Sequence, residues 1–183
     1  MKKWKLVFTQ GLLAGSLASV FSTAVLALTG RREAGSAAAP INAVSHWYWG
    51  DAAFDRQDAD LDHTAVGYLT HHSAAIFWAT AYAALASKKP ALRTTPGVLL
   101  GAAATSATAY LTDFKLTPHR FTPGYEHRLS TEALMAVHVA LAIGLAVGAL
   151  ALRDQYPDEE KPDEYEPEEP APRIVRHVRA GRV

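Results

Sequence analysis

The sequence predicts an all-α, polytopic membrane protein with four transmembrane helices, and three observations carry that prediction. Apolar residues make up 49% of the chain, yet the charges avoid long stretches and crowd into others. Four of the charge-poor stretches, about 6–28, 64–85, 94–112 and 131–152, approach the roughly 20 residues that a helix needs to cross a bilayer. The segments between them carry the prolines, aspartates and aromatic clusters expected of loops at a membrane surface. Residues 1–152 are therefore expected to form one four-helix transmembrane domain, and 153–183 a disordered cytoplasmic tail.

Charge and cysteine content narrow the field. The 18 lysines and arginines balance 18 aspartates and glutamates, which argues against nucleic acid as a partner. With no cysteine, disulfides, thiolate metal ligands and cysteine nucleophiles are excluded.

The first span follows the basic residues Lys2, Lys3 and Lys5. A cleaved signal peptide is the rival reading, since Ala24-Val-Leu-Ala27 resembles a cleavage site. A signal peptide's apolar core should be only about 7–15 residues, and Leu6 to Leu28 is longer, which favours an uncleaved span. Gly11, Gly15, Ser19 and Thr23 recur every fourth residue, a spacing that lets another helix approach closely.

Thr29 to Asp62 is a polar connection. Pro40 can open a short helix on which Ile41, Val44 and Tyr48 share a face. Trp47, Tyr48 and Trp49 suit headgroup depth, so an interfacial helix ending at Gly50 is expected. The alternation Asp58-x-Asp60-x-Asp62 hints at calcium. His63 and Leu69 stand where an EF-hand needs glycine and glutamate, so a solvated acidic loop is the better reading.

The second span contains the adjacent pair His71 and His72. The third is short and rich in alanine, glycine and small hydroxyl residues, which suggests packing inside the bundle, with Gly97, Gly101 and Thr105 at helix contacts. A Pro123-Gly124 turn precedes the fourth span, for which Ser130 is the expected N-cap. That span carries His138 and the Gly144-x-x-x-Gly148 pair. From Asp154 to Glu169 the chain is acidic and interrupted by proline, a composition typical of disorder.

Four spans put both termini on one side. The amino terminus, the turn after span two and the tail hold three, three and six basic residues; each of the other two loops holds three. Basic residues favour the cytoplasm, so both ends are expected inside and the tryptophan-rich and Pro-Gly loops outside.

That topology gathers scattered side chains. His71 and His72 lie about 12–14 Å below His63, and His138 roughly 10–12 Å below Ser130, at 1.5 Å per helical residue. Intramembrane histidines of spans two and four thus reach similar depth, and such groups are functional candidates by default. His71 shares a face with Thr64, Gly67, Ala75 and Trp78 and is the more inward choice. One use is haem b held by His138 with His71 or His72. Another is a divalent transition metal on the outer groups His46, His63, Asp51, His119 and His127. A third is a proton-responsive site. Against all three stands hydrogen bonding of the histidines to a hydroxyl or carbonyl on a neighbouring helix, with Ser16, Ser19, Thr105 and Ser106 on offer. Asp113, Arg120, Glu126 and Arg128 are expected to form an ion-paired lid.

Two stretches carry a resemblance. They are Pro40-Ile-Asn-Ala-Val-Ser-His-Trp-Tyr-Trp-Gly-Asp51, continued by His63-Thr-x-x-Gly-x-x-x-His71, and Asp113-x-x-x-x-Pro118-x-Arg-x-Thr-Pro-Gly-x-Glu126-x-Arg-Leu-Ser130. Together they resemble a group of small, uncharacterised proteobacterial inner-membrane proteins, and spans two and three look distantly similar to the YagU-like proteins. The resemblance covers roughly Leu6 to Leu152. It implies a bacterial inner-membrane location and a four-helix body, and it transfers no activity. The expected function is a non-enzymatic accessory or stress-related membrane component with an outward-facing histidine and carboxylate cluster. Its expected partners are the bilayer, other membrane subunits or a second copy. The alternative is a haem- or metal-binding subunit of a membrane redox enzyme.

Overall fold

A computed structural model describes residues 2–156, and they are all-α. The tail beyond Tyr156, expected to be disordered, lies outside the described residues. Helix α1 spans Lys2–Glu33, α4 Val66–Ala86, α5 Thr95–Leu111 and α6 Thr131–Leu152; two short helices, α2 (Ala39–Val44) and α3 (His46–Trp49), fill the first connection.

The four long helices form an antiparallel row in the order α4, α1, α6, α5, with a lighter contact between α4 and α5. Small residues explain why α1 sits between two neighbours. A Cβ added at Gly15 would lie 2.5 Å from Ile76 Cα of α4. One added at Gly144 would lie 2.6 Å from Ala18 Cα of α1, and one at Gly148 2.5 Å from Ala14 Cα. The every-fourth-residue spacings of spans one and four are thus true helix contacts, in which backbones approach because no side chain intervenes. Helix α1 runs past the expected end at Leu28, because Thr29 to Glu33 contains no proline and places Arg31 and Arg32 at the helix's negative end.

The caps follow the sequence. Ser130 Oγ accepts from the Ala133 N–H at 3.2 Å, as expected, and Thr94 Oγ1 accepts from the Gly97 N–H at 3.2 Å. Glu33 then ties α1 to the start of α6 by accepting from the Ser130 N–H at 2.7 Å and its hydroxyl at 3.0 Å.

Two expectations change. The segment Pro40 to Gly50 is not one interfacial helix: Ala39 to His46 is buried, and only Trp47, Tyr48 and Trp49 reach the surface. Burial is possible because Gly67 leaves room for the Ile41 carbonyl and because Asn42 is fully partnered. Its amide donates to Arg56 O at 3.2 Å and Asp58 O at 2.9 Å, and its oxygen accepts from the Thr64 hydroxyl at 2.6 Å. Helix α5 is peripheral rather than interior. It buries one stripe, Val98, Ala102, Ser106 and Ala109, and leaves Leu99, Leu100 and Leu111 exposed.

Among the described residues two helical stretches, Trp4–Glu33 and Thr131–Gln155, are long and apolar enough to cross a membrane. The 17-residue α5 is short, and α4 carries His71, His72 and several hydroxyl residues that lower its hydropathy.

Candidate functional site

A cavity of about 180 Å³ lies between α4, α5 and α6, roofed by the α2–α3 segment and the loop 117–125. His71 and His138 both line it, together with Asp113 and Tyr125. The matched level expected for His71 and His138 therefore has its counterpart in one shared space between α4 and α6.

Hydrogen bonds fix each ring's tautomer. Ser22 Oγ–H is engaged with Ala18 O at 2.8 Å, so its oxygen accepts from His71 Nε2–H at 2.9 Å. In a neutral ring that leaves Nδ1 of His71 as the acceptor. On α6 the Leu134 carbonyl, at 2.9 Å, can only accept, so His138 Nδ1–H donates and Nε2 carries the lone pair. Asp113 Oδ2 stands 4.0 Å from that Nε2. Ser106 of α5 donates to the His138 carbonyl at 2.6 Å and anchors α5 beside it.

Aromatic rings connect the two histidines. His71 meets Tyr125 edge-on at 6.4 Å, Tyr125 meets Phe114 at 6.1 Å, and Phe114 meets His138 at 5.9 Å between ring centres. Tyr110 closes on His138 at 5.1 Å. Burial, reinforced by the neighbouring Glu126 charge, raises the Asp113 carboxyl to about 7. Burial, with Asp113 and Glu126 nearby, also holds the Tyr125 phenol well above its usual value, so it remains a proton donor.

His72 does not join this space. Its Nε2 lies 3.5 Å from Ser16 Oγ, its ring stacks on Tyr68 at 5.5 Å, and its buried Nδ1 has no partner among the described residues. Both imidazoles of the pair thus touch serines of α1, but only His71 also faces the cavity.

The outer groups separate into two sets. His127 stacks on Phe54 at 4.3 Å, His46 packs tilted against the same ring at 4.9 Å, and His119 meets His127 at 5.5 Å. His46 Nδ1–H is engaged by Ala43 O at 2.8 Å. His63 instead pairs with Asp60 at 3.1 Å and neighbours Trp49, while Asp51 is exposed. The His63 backbone N–H donates to Asp60 at 2.6 Å and is the main reason that carboxyl lies below its usual range. Among the described residues no group of three or more histidines, aspartates or glutamates is placed to hold one metal ion.

The expected lid of ion pairs takes another form. Arg120 donates to the carbonyls of His46 at 3.0 Å and Trp47 at 3.2 Å, while Trp47 Nε1–H donates to Thr122 O at 2.9 Å. The α2–α3 segment and the loop 117–125 are thus laced through backbone carbonyls, and Asp113 is left to face His138. Gly124, at φ +91°, makes the turn in a conformation that side-chain-bearing residues rarely adopt, and a Cβ there would meet Ala43 O.

Size bears on the haem reading. The cavity is smaller than the ~300–1000 Å³ of drug-sized ligand sites, so a porphyrin would require the helices to part. Ser22, Tyr110 and Tyr125 are site residues that the sequence did not single out; Ser22 lies one turn beyond Ser19, on the same small-residue stripe. No protein-family model matches the chain, and no curated protein or solved structure matches it either.

Proposed function

We propose that the chain is a four-span inner-membrane protein with both termini cytoplasmic, a non-enzymatic accessory component whose outward half holds a cavity lined by histidine and carboxyl groups. The observation that carries the site is the meeting of His71, His138, Asp113 and Tyr125 around one space. Each imidazole has one nitrogen engaged by the scaffold and one left to accept, and a carboxyl that titrates near neutrality stands beside His138. The proton response is expected at the Asp113 carboxyl, near pH 7.

Support for the membrane reading comes from what the four long helices leave exposed. Phe8, Leu12 and Val20 of α1, Leu69 and Phe77 of α4, Leu99 and Leu100 of α5, and Met135, Val139 and Ile143 of α6 all face outward. Apolar surface of that extent requires a partner, and lipid is the one that surrounds every helix. A retained first span agrees with the packing of α1 between α4 and α6 and with Ser22's bond to His71. At the opposite end from the cavity, Gln10 donates to Leu152 O at 3.0 Å and Arg93 lies over the Tyr156 ring at 4.5 Å. The start of α1, the end of α6 and the basic turn thus lie at one end of the bundle, which supports a common cytoplasmic side by the basic-inside rule.

The test is alkaline extraction of membranes, followed by absorption and metal analysis of the purified protein. The expected result is a colourless, metal-free protein that stays with the membrane. A Soret band lost in His138→Ala would favour the haem-binding alternative.

A further inference from the structure

The cavity has a side door. A broad groove on the outer face of α4 is lined by Leu69, Phe77 and the aromatic shelf Trp47, Tyr48 and Trp49. It shares Trp47, Thr70 and Ala74 with the cavity, and Ala74 is exposed. The groove is apolar and faces where lipid would lie, whereas the cavity behind it is ringed by Trp78, Phe121 and Tyr125 and holds two acceptor nitrogens. Its volume of about 180 Å³ is that of a single-ring ligand, since an apolar cavity of ~150 Å³ takes up benzene. A ligand fitting both spaces needs an aromatic head that donates hydrogen bonds and a tail that is content in hydrocarbon.

Resting on the membrane reading above, we propose that the protein binds a bilayer-dissolved phenol or quinol. Its hydroxylated ring enters past Ala74, its hydroxyl donates to His138 Nε2 or His71 Nδ1, and its apolar tail lies along α4. The ring stacks among aromatic walls, and the fixed tautomers point acceptors rather than donors at it. A methyl ether of the same shape would leave those nitrogens without a partner, the situation in which hydrogen-bonding sites discriminate best.

The experiment uses the full chain in lipid nanodiscs, with Trp4→Phe and Trp49→Phe leaving Trp47 and Trp78 as reporters. A 4-alkylphenol is titrated against its methyl ether and against an alkylamine with the same tail. The expected result is saturable quenching by the phenol and binding about tenfold weaker for the ether, as one lost hydrogen bond implies. His138→Asn, which keeps an N–H for Leu134 O but whose shorter side chain places no acceptor where Nε2 stands, should weaken phenol binding by a similar factor. Ala74→Phe fills the door from a position one turn from His71 that takes part in neither imidazole's hydrogen bonds, and should abolish quenching while leaving the thermal melt unchanged. Equal binding of ether and phenol, displacement of the phenol by the amine, or wild-type binding in Ala74→Phe would each overturn the proposal. Release of the chain from membranes at alkaline pH would instead sink the four-span reading, whatever the phenol does.

Discussion

The two ends of the same bundle are built on opposite principles. At the end beside the turn 88–93, Ala14, Ala79, Ala83 and Ala86 leave a residual cavity of only about 20 Å³. Its polar groups are closed on the scaffold: Gln10 donates to Leu152 O at 3.0 Å and the Tyr82 hydroxyl to Leu92 O at 2.7 Å. At the opposite end, under the α2–α3 segment, the helices are held apart by Trp78, Tyr110, Phe114 and Tyr125, and the space between them carries titratable groups. Small residues make a tight seam that holds the helices; large rings make a lined space where imidazoles keep a free nitrogen. Cohesion and chemistry are thus assigned to different depths of the same helices.

That contrast predicts where substitution is damaging. Gly144→Leu forces a side chain into the backbone of α1, because even a Cβ would stand 2.6 Å from Ala18 Cα. The expected cost is about 3 kcal/mol, read as a large fall in melting temperature in detergent. A wild-type melt would mean that α1 and α6 are not in contact.

Asp113→Asn sharpens the contrast through pH. An acid whose folded pKa lies above its unfolded value binds more protons when folded, so stability falls as pH rises between the two. For Asp113 the interval runs from 3.8 to about 7. The wild type should therefore lose stability across that range, on the order of 2 kcal/mol after allowance for the side chain's partial solvent contact. The asparagine variant should lose most of that slope. An unchanged slope in thermal melts at pH 4, 5.5 and 7 would place Asp113 in water.

The smallest effect is expected at Ser22→Ala, which removes the oxygen that fixes the His71 tautomer. About 1 kcal/mol of stability should go. The specific readout is the ring nitrogen-15 spectrum, in which His71 should change from one tautomer to a mixture while His138 stays as it was. A purely structural serine would move the melt alone.

Much of the bundle is legible in the sequence because its cause is local. Charge-free runs give the helices, Ser130 gives a cap, and the glycine spacings give the seams. The gathering of His71 and His138 is legible too, since helical rise fixes depth. What could not be read depends on partners distant in sequence. Asn42 looks like a loop residue until Arg56, Asp58 and Thr64 supply its bonds. The burial of Ala39 to His46 depends on a glycine in another helix. The expected ion-paired lid failed because Arg120 found carbonyls instead, an alternative that charge counting does not reveal. His72 illustrates the limit differently: adjacent to His71, it differs by one helical step of direction and so misses the cavity.

The central claim is that His71 and His138, from different helices, face one aromatic-lined space. Solid-state NMR of the protein in lipid, with histidine, tyrosine and phenylalanine labelled, tests it directly. The ring contacts His71 to Tyr125, Tyr125 to Phe114 and Phe114 to His138, at 6.4, 6.1 and 5.9 Å, predict three linked cross-peaks. A His71 ring that correlates with lipid chains, with no peak to Tyr125, would contradict the account.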